Sequence, residues 1–253
     1  MLLETKNLGI TFEGLKAVEG VEIQIDYGEL VGLIGPNGAG KTTIFNLLTG
    51  VYLPTEGEIL IEGENVVGKS PHQLVEKGIT RTFQNIRLFK ELSVLDNVKM
   101  AFHHKMTYSV AHAIIRLPGT KYWKEEKETD EKAKELLKLF KMEHLEDECA
   151  KNLSYGQQRK LEIARALATE PKVLLLDEPA AGMNPQETND LMNTIAFIKE
   201  HFKVAILLIE HDMKLVMGIC QRIVVIDYGK VIARGTPDEI KTNPKVIGAY
   251  LGS

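Results

Sequence analysis

The chain lacks any run approaching the roughly 18 consecutive apolar residues that a membrane-spanning helix requires, so work at a membrane would leave the crossing to other subunits. Basic residues are not in excess either. Lys and Arg number 31 against 35 Asp and Glu, and the net charge of −4 removes the electrostatic reason to expect nucleic acid. Cysteine is scarce: Cys149 and Cys220 are too few and too far apart for a disulfide framework or a metal site, and suit a reducing compartment. No internal repeat or low-complexity tract is present, and Met1 to Lys6 shows no basic region leading into an apolar stretch, so no signal peptide is expected. What remains is a chain of 253 residues, 44% hydrophobic and 26% charged, able to bury a full core as one large domain or two small ones.

The stretch around which the chain is organised is Gly35-Pro36-Asn37-Gly38-Ala39-Gly40-Lys41-Thr42-Thr43. It follows the apolar run Leu30-Val31-Gly32-Leu33-Ile34 and precedes Ile44-Phe45-Asn46-Leu47-Leu48, giving strand, glycine-rich turn and helix. The glycines let the backbone wrap closely, so that its amides face phosphate oxygens, and the helix start adds the positive end of its dipole. Lys41 is expected to reach the β- and γ-phosphates of a nucleoside triphosphate, the Thr42 hydroxyl to hold Mg²⁺, and Thr43 to touch the α-phosphate.

Residues 2 to 33 read as β, with Leu8 to Phe12 and Val21 to Ile25 alternating in part and Glu13-Gly14 and Glu19-Gly20 as turns. Phe12 reads equally as an adenine-stacking ring or a strand-face aromatic. Glu58 to Glu62 alternates and meets Gly63-Glu64-Asn65, predicting a hairpin. A short helix over Pro71 to Gly78, capped by Ser70, leads to a strand over Ile79 to Phe83 that ends at Gln84.

From Val94 the character changes. Val98, Phe102 and Met106 repeat every four residues, Leu117-Pro118-Gly119 breaks the helix, and a charge-rich helix runs from Lys121 to Phe140. His103, His104 and His112 have no Cys or acidic cluster alongside and read as surface or packing residues. A helix over Arg159 to Ala168, capped by Ser154, follows. Lys172 to Leu176, apolar from Val173 onward, and Val204 to Ile209 read as central parallel strands, with a helix over Gln186 to His201 between them. Asp227-Tyr228-Gly229 between two apolar runs predicts a hairpin, and two short helices close the chain.

The first buried strand ends in Asp177-Glu178 and the second in Glu210-His211-Asp212. Ligands of open α/β sheets sit at such strand ends. Asp177 is expected to orient Mg²⁺, Glu178 to polarise the attacking water, and His211 to hydrogen-bond the γ-phosphate. Ser154-Tyr155-Gly156 opens a helix and offers a second anion site, which one triphosphate does not need and a neighbouring molecule would use.

Taken together, the phosphate loop, Gln84, Leu153-Ser154-Tyr155-Gly156-Gln157, Asp177-Glu178 and His211 resemble, in order and spacing over nearly the full length, the ATP-binding subunit of an ATP-binding-cassette transporter. Arg81-Thr82-Phe83-Gln84 with Arg87-Leu88-Phe89, the stretch Pro179 to Pro185 and the helical insert look like the branched-chain amino acid importer subgroup. The resemblance implies an α/β fold: a P-loop NTPase core with a mainly parallel sheet, an antiparallel β subdomain and an inserted helical subdomain. One cassette domain would span 1–253, with the core at 1–85 and 168–253 and the helical subdomain at 86–167. It implies a head-to-tail dimer sandwiching two ATP molecules, with Ser154, Tyr155, Gly156 and Gln157 touching the partner's ATP. Phe12 would stack on adenine, Gln84 would contact Mg²⁺ or the water and couple to the membrane subunit, and His211 would act as a switch. Expected partners are permease subunits and, indirectly, a substrate-binding protein, with the chain on the cytoplasmic face of the cell membrane.

Two departures from the family pattern stand out: Tyr155 where Gly is commoner, and Met183-Asn184 where Leu-Asp is frequent. Other roles to separate from import of branched-chain amino acids are import of a different amino acid and a soluble cassette ATPase acting on ribosome or DNA.

Overall fold

Partial alternation at the N-terminus becomes antiparallel sheet in the computed structural model, which describes residues 1–102 and 121–251. β1 (Leu3–Phe12) turns at Glu13-Gly14 into β2 (Leu15–Val21) and also pairs with β3 (Gln24–Ile25). Glu19 and Gly20, expected as a turn, instead lie inside β2. Leu8 pairs with Val21 but Ile10 with Val18, so β2 carries one extra residue there. Gly20, at φ 59°, absorbs this bulge, and the Glu19 amide donates to the Gly229 carbonyl at 2.9 Å.

β4 (Leu30–Ile34) is buried at every position and runs into the phosphate loop and α1 (Lys41–Leu48). β5 (Glu56–Ile61) pairs with β1, and β6 (Glu64–Asn65) pairs with β5, completing a five-stranded antiparallel sheet. α2 (Pro71–Glu76) starts at the predicted cap, where Ser70 and Gln73 form a capping box, and β7 (Ile79–Arg81) follows.

Residues 85–170 form a compact unit of their own. Within it α3 (Val94–Phe102) packs against α4 (Lys121–Leu139) and α5 (Tyr155–Leu167). α4 buries Ala133, Leu136 and Leu137 and spends its charges on i,i+4 pairs such as Glu128–Lys132 at 2.7 Å. Met106, His103, His104 and His112 lie outside the described residues.

Residues 1–84 and 171–253 form the other unit. After Pro171 come β8 (Val173–Asp177), α6 (Pro185–Phe202), β9 (Ala205–Ile209), α7 (Met213–Ile219), β10 (Arg222–Asp227), β11 (Lys230–Gly235), α8 (Pro237–Thr242) and α9 (Pro244–Leu251). Its larger sheet has the order β11-β10-β4-β9-β8-β7, parallel except for the hairpin partner β11. β8 and β9 are buried throughout, as their apolar composition requires. β4, β7, β8 and β9 run in the same direction, so the phosphate loop, Gln84, Asp177-Glu178 and His211 all follow the same edge of this sheet. Among the described residues no helix is long and apolar enough to cross a membrane.

Candidate active site

The phosphate loop depends on close backbone approach. A Cβ on Gly35 would lie 2.0 Å from the Ile226 carbonyl oxygen, and one on Gly40, at φ 103°, would lie 2.9 Å from that of Ala17. Gly40 is also the N-cap of α1, which has no side-chain cap and no acid in its first turn. Its amides therefore keep their capacity for an anion. Lys41 is buried, and its Nζ donates to the carbonyls of Gly35 at 2.8 Å and Pro36 at 2.9 Å. Burial lowers its pKa, while the carboxylates of Glu178 and Asp177 work against that shift. A cavity of about 410 Å³ opens on the loop, lined by Asn37 to Thr43, Leu15, Lys16, Ala17, Glu178, Tyr228 and Gly229.

The two carboxylates are held differently. Asp177 ends β8, is 4% exposed, and its Oδ2 accepts from Arg81 Nη2 at 2.5 Å. Glu178 leaves the strand in the left-handed region, at φ 44°, and its amide donates to the Ile209 carbonyl at 2.9 Å. Such a conformation is uncommon for a non-glycine residue, and here it falls directly after the buried strand that carries Asp177. Gln84 Nε2 donates to Glu178 Oε2 at 2.9 Å, and His211 Nδ1 lies 3.7 Å from the same oxygen.

Glu210, which the sequence reasoning did not single out, ties these loops together. It is 1% exposed and accepts from the amides of Ala180 at 2.7 Å, His211 at 3.1 Å and Asp212 at 3.4 Å. Burial raises its pKa, and the three amides pull it back down. The loop after Glu178 and the loop carrying His211 thus share one buried carboxyl.

The donor chemistry fits Mg²⁺. Thr42, Asp177 and Gln84 offer hydroxyl, carboxylate and amide oxygens, the hard ligands that this cation prefers. Among the described residues no group of three or more His, Cys, Asp or Glu side chains makes a metal cage.

Phe12 sits edge-on to Tyr52, with ring centroids 5.3 Å apart, and is not among the residues lining the cavity. Leu15 and Tyr228 are. Tyr228 lies in the β10–β11 turn at φ 43°, and only its place in a hairpin signal marked it in the sequence.

In the unit formed by residues 85–170, Ser154 and Gln157 close a capping box at the start of α5. The Gln157 amide donates to Ser154 Oγ at 3.4 Å, and the Ser154 amide to Gln157 Oε1 at 2.9 Å. The Tyr155 ring lies against Arg159, one turn further along the helix, with the guanidinium 6.0 Å from the ring centroid and Arg159 Nη2 3.4 Å from the hydroxyl. Gly156 occupies the second position of α5.

Comparison with known proteins places this geometry in company. The profile of the family described as ABC transporter matches residues 18–181, and that of the branched-chain amino acid ATP-binding cassette transporter matches residues 230–253. Over 251 residues the chain is 47% identical to the high-affinity branched-chain amino acid transport ATP-binding protein BraF of Pseudomonas aeruginosa, covering 99% of this chain and 98% of that protein. The ADP conformation of MJ1267, an ATP-binding cassette of an ABC transporter, is similar with a TM-score of 0.86 and 33% identity, over 100% of this chain and 99% of that one. A dimeric post-hydrolysis state of the cassette MJ0796, bound to ADP and Pi, is similar with a TM-score of 0.76 and 26% identity, over 93% of this chain and 99% of that one.

Proposed function

The chain belongs to the ATP-binding-cassette transporter family, and from that membership we propose that it is the ATP-hydrolysing subunit of an importer of branched-chain amino acids. It is an ATPase of that family, with the nucleotide-binding fold of its relatives. The observation that carries the substrate class is the 47% identity to BraF over 99% of the chain.

In this reading the amides of Gly35 to Thr43 and the Lys41 ammonium hold the β- and γ-phosphates, and Thr43 touches the α-phosphate. Lys41 already bonds two carbonyls at 2.8 and 2.9 Å, so it reaches the phosphates by leaving or sharing acceptors of its own loop. Thr42, Asp177 and Gln84 would hold Mg²⁺, which when bound would supply positive charge against the phosphate oxygens. Glu178 takes the proton of the attacking water. Gln84 occupies Glu178 Oε2, so Oε1 is the oxygen for that proton. His211, beside Glu178, reports whether the γ-phosphate is present. Phe12 stacks on the adenine by swinging from its edge-on contact with Tyr52.

Residues 86–167 act as the helical subdomain. Ser154, Tyr155, Gly156 and Gln157 contact ATP on a second subunit, either another copy of this chain or a related ATPase. The dimeric form of the MJ0796 cassette supports pairing of this kind. ATP binding closes the pair, and hydrolysis reopens it and resets permease subunits that receive substrate from a binding protein. The chain docks on those subunits at the cytoplasmic face of the cell membrane.

The test is to recover the chain from native membranes in mild detergent, identify what accompanies it, and reconstitute the assembly with a panel of amino acids. ATP-dependent uptake of leucine, isoleucine and valine is expected. Uptake of a different amino acid alone would replace the substrate, and recovery with only ribosomal or DNA-associated proteins would overturn the transport role.

A further inference from the structure

Asp177 does not stand alone at the end of its strand. Arg81, the last residue of β7, places Nη2 2.5 Å from Asp177 Oδ2, and the two side chains are 7% and 6% exposed. The other end of the guanidinium is fixed as well: Nη1 donates to Asn46 Oδ1 on α1 at 2.7 Å. Its Cζ lies over the rings of Phe45 and Phe83, 5.4 and 5.1 Å from their centroids. Arg81 Nε is buried with no hydrogen-bond partner among the described residues, so the side chain gives up one donor to hold this pose. The planar fork bonds Asn46 and Asp177 through separate nitrogens while lying near both rings, a geometry the point charge of a lysine does not reproduce. A buried ion pair rarely stabilises a fold more than apolar residues of equal size would. The effect of this one is therefore to be sought in what it does to Asp177.

We propose that Arg81 is a positioning residue for the divalent-cation site, holding Oδ2 of Asp177 so that Oδ1 alone is presented, and weakening the site's grip on the cation. The proposal rests on the reading of Asp177 as the residue that orients Mg²⁺. The guanidinium cancels part of the carboxylate charge that the cation would otherwise meet in full. It also links the helix that follows the phosphate loop to the strand end that carries the carboxylate. Without Arg81, a buried carboxylate has lost its positive partner, and Mg²⁺ arriving with nucleotide takes that place. Cation affinity rises while orientation is lost.

The test titrates Mg²⁺ against wild type, Arg81→Gln, Arg81→Lys and Asp177→Asn in the presence of ATP, following thermal unfolding, with a fluorescent ATP analogue binding in EDTA and turnover measured alongside. Arg81→Gln should reach the midpoint of its Mg²⁺-dependent thermal shift at about fivefold lower Mg²⁺ than wild type. It should bind the analogue in EDTA as wild type does, and turn over more slowly. Arg81→Lys should return the Mg²⁺ midpoint towards wild type, because the charge is restored, without recovering full turnover. An unchanged midpoint in Arg81→Gln, with a shifted one in Asp177→Asn, overturns the proposal and leaves the Asp177 reading standing. No shift in either variant overturns both. Should Arg81→Gln not fold, a crystal structure of the wild-type protein with Mg²⁺ and ADP decides: Arg81 still bonded to Asp177 Oδ2 supports the proposal, and a broken contact overturns it.

Discussion

Gln84 donates its side-chain amide to Glu178 Oε2 across 2.9 Å, so one oxygen of this carboxylate is already engaged before any water arrives. In the proposed mechanism the remaining oxygen takes the proton of the water. Glu178→Gln keeps the shape of the side chain and removes that acceptor. Turnover is expected to fall about 100-fold or more, while ATP affinity, which rests on the phosphate loop, stays near wild type. Size-exclusion chromatography with ATP should then show the variant accumulating as a dimer. Full turnover in this variant would remove Glu178 from the chemistry.

Two glycines of the loop predict losses of different size for the same substitution. A Cβ at Gly35 falls 2.0 Å from the Ile226 carbonyl oxygen, so Gly35→Ala must displace the loop from β10. Nucleotide affinity should drop at least about tenfold, equivalent to roughly 1.4 kcal/mol. At Gly38 nothing lies within 4 Å of the added Cβ, and only the positive φ of 80° is strained. Gly38→Ala should cost about 1 kcal/mol of stability and less affinity than Gly35→Ala. Titration with a fluorescent ATP analogue separates the two.

The local parts of this site were legible in the sequence because each is set by near neighbours. A glycine-rich turn between an apolar strand and a helix needs no tertiary information, and the apolar runs ending in Asp177 and Ile209 were recognisable as buried strands by composition alone. What escaped depends on partners far along the chain. Glu210 was not singled out beside His211, yet it is buried and accepts from amides of residue 180 as well as 211 and 212. Arg81 entered only as part of a family motif, since its contacts with Asn46 and Asp177 are 35 and 96 residues away. α7 was missed because Met213–Ile219 is too short to show a helical period, although Asp212 caps it by accepting from the amides of Lys214 and Leu215. The bulge in β2 was read as a turn because glycine permits either.

Asn184, where the family often has Asp, proves to be the N-cap of α6. Its Oδ1 accepts from the amides of Gln186 at 2.9 Å and Glu187 at 3.0 Å, and Glu187 returns a bond to the Asn184 amide at 3.0 Å. Asn184→Ala removes the cap and should cost about 1 kcal/mol in urea unfolding. Asn184→Asp keeps the acceptor and adds a charge that the helix dipole favours, so it should unfold no earlier than wild type. A loss from Asn184→Asp equal to that from Asn184→Ala would show that the Asn184 NH₂ group, not the cap oxygen, matters here.

Tyr155 replaces a commoner glycine at a helix start assigned to a partner's phosphate, and its own contacts explain how a large ring is accommodated. The ring lies over Arg159, one turn further along α5, and Arg159 is fully buried with Nη1 2.7 Å from Glu162 Oε2. Glu162 in turn accepts from the Arg87 amide at 3.0 Å, so the ring covers one end of a buried polar chain. Tyr155→Gly uncovers that guanidinium, removes a cation–π contact and places glycine in a helix. Each effect is worth roughly 0.5–1 kcal/mol, and the sum should appear as a lower urea midpoint. Turnover of the folded variant should stay within about threefold of wild type, because glycine keeps the backbone amide that the partner's phosphate would meet, while the ring itself lies against Arg159. If stability holds and turnover collapses instead, the ring belongs to the nucleotide contact, and the polar chain beneath it is stable without cover.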